Sequence, residues 1–406
     1  MSTKGSKYSR RDIITFATLT GLLAFIPIST DLYLPAIPMM TAELGSTISQ
    51  SQLTLSLFML GVAGGQVIFG PLSDQFGRLP VIRIGTLTFV AFSLLSSLAW
   101  NIEYMWLARV AQGAAAASGA VIARALIRDR YEGDRAAQMM ALTGASMASI
   151  PLIAPTLGAY ITVEFGWRFT FVAQSLFALL VYLGLSSFQT GTSSLQNVDK
   201  AKLTLSDIAT SFKDCLRNPQ FLGYQIAGTL SFCGLFIYLS TVSFFLKDVF
   251  HVPTEYFGLA FAMTVIGFVI GSLLSSRLVM KWGQDKTLRR GTFVCMGANG
   301  LVLLVTLYLP AFTVGFAILS ILFFFGIGLI SANASMGAIS LYPHKAGAAS
   351  AVYGCVHSLS SATMGAIAGL LYAGRLLEPV SLMLLCSVGA LMGSALIHRS
   401  RSISQN

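Results

Sequence analysis

The sequence predicts an all-α integral membrane protein of twelve transmembrane helices, laid out as two six-helix halves. Three observations lead there. Only 10% of the 406 residues are charged and 55% are hydrophobic, whereas a soluble domain carries about a quarter charged residues. Twelve apolar segments are each long enough to span a hydrocarbon core, which takes about 20 helical residues. The Lys and Arg residues sort by connection, 21 of 26 falling on one side. Strand alternation is absent, and Gly, Ala, Leu and Phe dominate, so helices rather than a barrel are the reading.

The segments run 12–38, 51–72, 79–99, 102–128, 137–162, 166–188, 220–247, 254–280, 288–309, 311–340, 346–372 and 377–397. The first follows a basic start, as in a signal peptide. No small-x-small cleavage site follows and the run continues to Pro38, so it reads as a retained span. One set of connections holds Lys4, Lys7, Arg10, Arg11, Arg78, Arg83, Arg128, Arg130, Arg135, Lys200, Lys202, Lys213 and Arg217. Further along the chain it holds Arg277, Lys281, Lys286, Arg289, Arg290, Lys345, Arg399 and Arg401. The opposite set has Arg168, Lys247 and Arg375. By the positive-inside rule both termini are cytoplasmic. The net charge of +10 is therefore a topology signal and not a nucleic-acid patch. Residues 189–219 form the longest polar connection, beginning Gln189-Thr190-Gly191. Within it Leu205, Ile208, Phe212 and Leu216 follow helical spacing and suit the membrane surface. The chain divides into residues 1–188, a cytoplasmic linker 189–219, and residues 220–406, as in transporters built of two halves around a midplane site.

The first segment holds Ser29-Thr30-Asp31-Leu32-Tyr33-Leu34-Pro35-Ala36-Ile37-Pro38. Asp31 is the acidic residue that falls well inside an apolar span. An ionisable group at that depth costs at least ~2.5 kcal/mol, which makes it a functional candidate or one half of a static ion pair. Pro35 and Pro38 interrupt the helix just beyond it, and a spanning helix is broken where the freed backbone is buried in protein or faces water. Span four carries Arg109, followed by Gln112, Gly113, Ala114 through Ala117, Ser118 and Gly119. A buried guanidinium needs a partner, and Asp31 or polar groups tied to it are the available choice; the alternative is an arginine snorkelling to the interface. Arg124, nearer the cytoplasm, is assigned to a gate network with Asp129.

Between spans two and three stands Gly70-Pro71-Leu72-Ser73-Asp74-Gln75-Phe76-Gly77-Arg78-Leu79-Pro80, read as a tight cytoplasmic turn. Asp74 can meet the positive end of a neighbouring helix, and Arg78 can reach Asp129. Gly271 through Gly283 echoes this stretch in the second half, without an acid matching Asp74. Span five has Pro151 and Pro155 between Gly144 and Gly158, which suits a bending element. Tyr33, Phe58, Met147, Phe236, Tyr238 and Tyr353 are candidate lining residues of a mostly apolar midplane cavity, since Met and aromatic surfaces repack around varied cargo. His357, the histidine deep in a span, joins them as a group that hydrogen-bonds or titrates. The cysteines Cys215, Cys233, Cys295, Cys355 and Cys386 lack CxxC spacing and read as packing residues. No nucleotide-binding, redox-metal or nucleophile–base motif is present, so no cofactor is expected, the chain is not read as an enzyme, and an ion gradient or the substrate itself drives transport.

These motifs resemble those of the major facilitator superfamily, and most of all its drug:proton antiporter branch with the bicyclomycin- and chloramphenicol-resistance (Bcr/CflA) exporters. Gly70 to Arg78 is similar to the loop motif G-x-L-x-D-x-x-G-R. Ser29 to Pro38 resembles the branch's first-span motif with its acid at Asp31. Leu107 to Gly113 resembles R-x-x-Q-G, and Ile150 to Ala159 the fifth-span antiporter motif. Gln75 and Leu79 depart from the loop motif's usual basic residues, and Ala154 and Ala159 from the antiporter motif's glycines. The resemblance implies the major facilitator fold, a bacterial inner-membrane location, a monomer, and efflux of amphipathic small molecules against protons carried by Asp31 with Arg109. Export of a metabolite or siderophore, or proton symport, fits the same fold. A membrane enzyme or sensor would need a catalytic cluster or an output domain, and neither is visible.

Overall fold

The computed structural model describes residues 10–131, 138–140, 142–143, 146–147, 149–188, 205–309 and 313–405. Lys4, Lys7, Arg135, Gly144, Lys200, Lys202 and the Gln189–Gly191 stretch lie outside the described residues. The helices are α1 (Arg10–Leu23), α2 (Phe25–Asp31), α3 (Ile37–Glu43), α4 (Ile48–Phe76), α5 (Arg78–Ser97), α6 (Ile102–Arg130), α7 (Ile150–Phe165) and α8 (Arg168–Gly184). They continue with α9 (Leu205–Arg217), α10 (Pro219–Asp248), α11 (Phe257–Trp282), α12 (Gln284–Tyr308), α13 (Thr313–Ser340), α14 (Ala346–Leu371) and α15 (Leu377–Gln405). Among the described residues nine helices are long and apolar enough to cross a membrane, and the pair Asp12–Leu23 and Phe25–Glu43, bent by 54°, makes a tenth if it is counted as one span. Two shorter apolar helices are Ile150–Phe165 and Arg168–Gly184. The predicted apolar segments fall on these elements, the first divided among α1, α2 and α3, and the fifth, 137–162, reaching α7 from a stretch that lies partly outside the described residues. The helices turn bare leucines and isoleucines outward, Leu107, Leu180 and Ile84 being at least 65% exposed, as hydrocarbon surroundings require.

Local chemistry sets the ends. Thr47 and Gln50 close a reciprocal capping box on α4, with Gln50 N donating to Thr47 Oγ1 at 3.2 Å and Thr47 N to Gln50 Oε1 at 2.8 Å. Asn101 caps α6 by accepting from Tyr104 N, and Asn218 caps α10 ahead of Pro219. The predicted loop Gly70–Phe76 is in fact the last turns of α4. The reversal into α5 is made by Gly77 alone, at φ +92°. Gly283 does the same between α11 and α12 at φ +80°. A side chain is strained in that region, so a one-residue turn there calls for glycine.

Small residues let the long helices meet backbone to backbone. A β-carbon on Gly113 would lie 2.0 Å from the Phe58 carbonyl oxygen, and one on Gly61 2.0 Å from that of Val110, where α4 crosses α6. Helices before residue 189 meet those after 218 chiefly through α4 on α14 and α7 on α11. At the end of the molecule that carries Glu43 this seam is shut. Ser243 Oγ donates to the Leu34 carbonyl at 2.6 Å, α7 at Thr156 abuts Gly258, and Gln52 and Ser56 of α4 lie against Gly369 and Gly365 of α14.

Candidate functional site

The first span breaks twice. Pro27 lacks the N–H that would bond the Leu23 carbonyl, and the helix kinks at Ala24. It stops again at Asp31, where Leu32 and Tyr33 turn into a 3-10 segment at Leu34–Ala36. Asp31 sits at that second break, 5% exposed. Thr30 Oγ1 donates to its Oδ1 at 2.9 Å. On the far side α7 presses close: a β-carbon on Gly158 would lie 2.2 Å from the Leu32 carbonyl oxygen. Pro151 stands in the first turn of α7 and Pro155 inside it.

Arg109 is fully buried on α6. Its Nη1 donates to Gln112 Oε1 at 2.7 Å and its Nη2 to the Ser29 carbonyl at 3.3 Å. The rings of Phe58, Tyr33 and Phe171 surround the guanidinium at 4.3, 4.9 and 5.7 Å. Of the two partners the sequence left open for Arg109, Asp31 itself or polar groups tied to it, the structure has the second, the Ser29 carbonyl of the helix that ends at Asp31: among the described residues Arg109 makes no ion pair, and Asp31 makes none either. The reason is the helix break. In a continuous helix Tyr33 N would bond the Ser29 carbonyl; here it donates to Thr30 instead, at 3.2 Å. Arg109 takes the freed carbonyl and so acts as a cap on the helix end that bears Asp31.

At the opposite end of the molecule Arg78 donates to Asp129 at 3.1 Å and to Ser73 Oγ at 2.6 Å, and pairs with Asp74 at 2.5 Å. The group ties α4, α5 and α6 across the Gly77 turn. Arg124 is not part of it. Its Nε donates to the Ala120 carbonyl of its own helix at 2.8 Å, a bond within reach of a long side chain one turn on. The second half has an acid that the sequence reading missed: Asp285, two residues after the Gly283 turn, accepts from Tyr224 OH at 2.5 Å.

The profile of the major facilitator superfamily matches residues 18–365. The chain belongs to the major facilitator superfamily. It is a transporter of small molecules embedded in lipid, not an enzyme, and members of this superfamily generally work without a bound cofactor. Among the described residues no three His, Cys, Asp or Glu side chains gather where they could hold a metal ion. The chain is 30% identical over 362 residues to a bicyclomycin resistance protein homolog of Haemophilus influenzae, covering 88% of this chain and 89% of that one. It is 28% identical over 411 residues to a chloramphenicol resistance protein of Pseudomonas aeruginosa, covering 98% and 94%. Among solved structures, the partially occluded inward-open xylose transporter XylE of E. coli superposes with a TM-score of 0.72 at 14% identity, over 95% of this chain and 96% of that one. That likeness is one of fold.

In this facilitator the predicted lining residues divide among three places. Tyr33 and Phe58 are 0% exposed and enclose Arg109, with Tyr33 OH near Thr54 Oγ1 at 2.9 Å. Phe236 packs against Gly365, and Tyr238 lies inside a ring cluster with Phe245, Phe261, Phe316 and Phe324. Tyr353 stacks on His357 with centroids 5.7 Å apart, and Phe232 lies on that same imidazole at 4.3 Å. Tyr33, Phe58, Phe236, Tyr238 and Tyr353 are all buried in packing in this structure. Aromatic spacing along a helix does not say which face meets a neighbour. Met147, Phe232 and His357 keep partial exposure. Gln66 of α4 donates to Ser358 Oγ at 3.4 Å, a polar contact across the α4–α14 seam that sequence reading missed.

Arg78→Ala is expected to slow turnover by about tenfold while leaving cargo affinity near native, since two partly exposed ion pairs together contribute only ~1–2 kcal/mol. Spin-label distances between α4 and α14 near Arg78 check it. Unchanged distances with unchanged turnover would reduce the group to a solvated turn.

Proposed function

We propose that the chain is a proton-coupled exporter of amphipathic small molecules, of the kind that confers resistance to antibiotics such as chloramphenicol. In this reading twelve spans form two six-helix halves, residues 1–188 and 220–406, joined by a cytoplasmic linker at 189–219. The protein works as a monomer in a bacterial inner membrane with both termini in the cytoplasm. One observation carries the reading: Asp31, a buried carboxylate that makes no ion pair among the described residues, stands at a helix break in the first span. The kinship with resistance proteins along nearly the whole chain supports it.

Asp31 takes up a proton from the outside when the Glu43 end is open and releases it to the cytoplasm when the Arg78 end is open. The neutral form suits the low dielectric around it; the charged form favours the state in which water or a cationic edge of cargo reaches the break. Proton and cargo then favour opposite states, as exchange requires. Arg109 holds the break in place, and the Arg78–Asp74–Asp129 group holds α4, α5 and α6 together at the opposite end. Cargo sits between the halves beside the half-exposed Met147, Phe232 and His357. One charge crossing about 150 mV supplies ~3.5 kcal/mol, enough for a cargo ratio of about 300-fold per proton.

Purified protein in liposomes with an imposed pH gradient tests the reading. Radiolabelled chloramphenicol is expected to move against the proton flow and to stop when an ionophore collapses the gradient. Flux in the same direction as protons would make the chain a symporter. Flux indifferent to the ionophore would remove proton coupling altogether.

A further inference from the structure

Arg109 is held from behind by buried amides that none of the transport steps above uses. Gln112 is the middle link. Its carbonyl accepts from Arg109 Nη1 at 2.7 Å, and its Nε2 donates to Ser93 Oγ on α5 and to Gln174 Oε1 on α8, both at 2.8 Å. All four side chains are 0% exposed. A primary amide can turn either end toward a neighbour, and a guanidinium, having no acceptor, needs the oxygen. Two contacts decide the matter. Ser93 gives its hydroxyl proton to the Phe89 carbonyl at 2.7 Å, so toward Gln112 it accepts. Gln174 presents its oxygen. The NH₂ of Gln112 is thereby claimed on α5 and α8, and its carbonyl is left for Arg109. The Nε2 of Gln174 itself has no partner among the described residues, so what Gln174 contributes here is one acceptor oxygen.

We propose that Gln174, with Ser93, is a positioning residue for transport. It sets the amide of Gln112, which aims Arg109 at the Ser29 carbonyl and so holds the helix end that carries Asp31. The inference rests on the export reading given above.

Two substitutions separate positioning from space-filling. Gln174→Glu keeps the oxygen and loses only an NH₂ that bonds nothing. Gln174→Leu fills similar volume without an acceptor. In liposomes, at equal amounts of reconstituted protein, Gln174→Leu is expected to lower the pH-driven rate of chloramphenicol export by about tenfold or more, and Gln174→Glu to stay within about threefold of native. A packing role gives the reverse order, because leucine is at home in an apolar bundle and a carboxyl is not. Adding Gln174→Leu to Gln112→Leu is expected to do no further harm, since the two act through one contact. Spin labels on α2 and α8 read the same placement without flux, with the distance distribution broadening in the Leu variant and not in the Glu variant. Native export and native distances in Gln174→Leu, or Leu outperforming Glu, overturn the proposal. A wild-type protein without pH-driven flux overturns the export reading instead, and the distances then decide the positioning claim by themselves.

Discussion

Asp31→Asn is expected to abolish proton-driven accumulation while leaving a folded protein that still binds cargo. Asparagine keeps an Oδ1 for the Thr30 hydroxyl, now 2.9 Å from the carboxylate, and keeps the shape of the break. It removes the one thing the site trades, a proton that can come and go. The cargo gradient of about 300-fold that one proton can sustain falls to unity, although downhill exchange of labelled for unlabelled cargo continues. Liposome flux with and without a pH gradient measures both quantities on one preparation. Full pH-driven transport in Asp31→Asn would move the coupling elsewhere, with His357 next in line.

The second large effect is expected at Arg109. Arg109→Ala leaves the Gln112 carbonyl and the Ser29 carbonyl buried without their donor, and an unsatisfied buried group costs ~1–3 kcal/mol each. Export is expected to fall by about a hundredfold or more, with a lower melting temperature in detergent. Arg109→Lys keeps a cation among the rings of Phe58, Tyr33 and Phe171. A point ammonium cannot reproduce a planar fork that spans two acceptors on different helices, so Lys is expected to restore stability in part and export by less than about a tenth. Near-native flux in both variants would place Arg109 outside the mechanism.

How far the site was legible follows from what each residue must overcome. Asp31 stands out in sequence because a carboxylate in an apolar run has few inexpensive explanations. The Arg78–Asp129 contact was legible because a glycine turn with flanking charges leaves few geometries. The acceptor of Arg109 was not, because it is a backbone carbonyl released by a helix break, and no side chain records it. The same blindness hid Gln174 and Ser93, lone polar residues on two other spans that acquire meaning only where α5, α6 and α8 converge. Tyr238 reads as a cavity aromatic and proves to be the centre of a ring cluster, since a highly apolar helix such as α10 has no sequence-visible inner face. The positions of the helices, by contrast, were legible almost throughout, because hydrocarbon thickness fixes their length.

The claim at the centre is that cargo and a proton exchange at Asp31, and proton release on cargo binding tests it most directly. Wild-type protein in weakly buffered detergent, titrated with chloramphenicol across a series of pH values, is expected to release up to one proton per cargo bound, with Asp31→Asn binding the same ligand and releasing none. Equal proton release from both proteins would contradict the account.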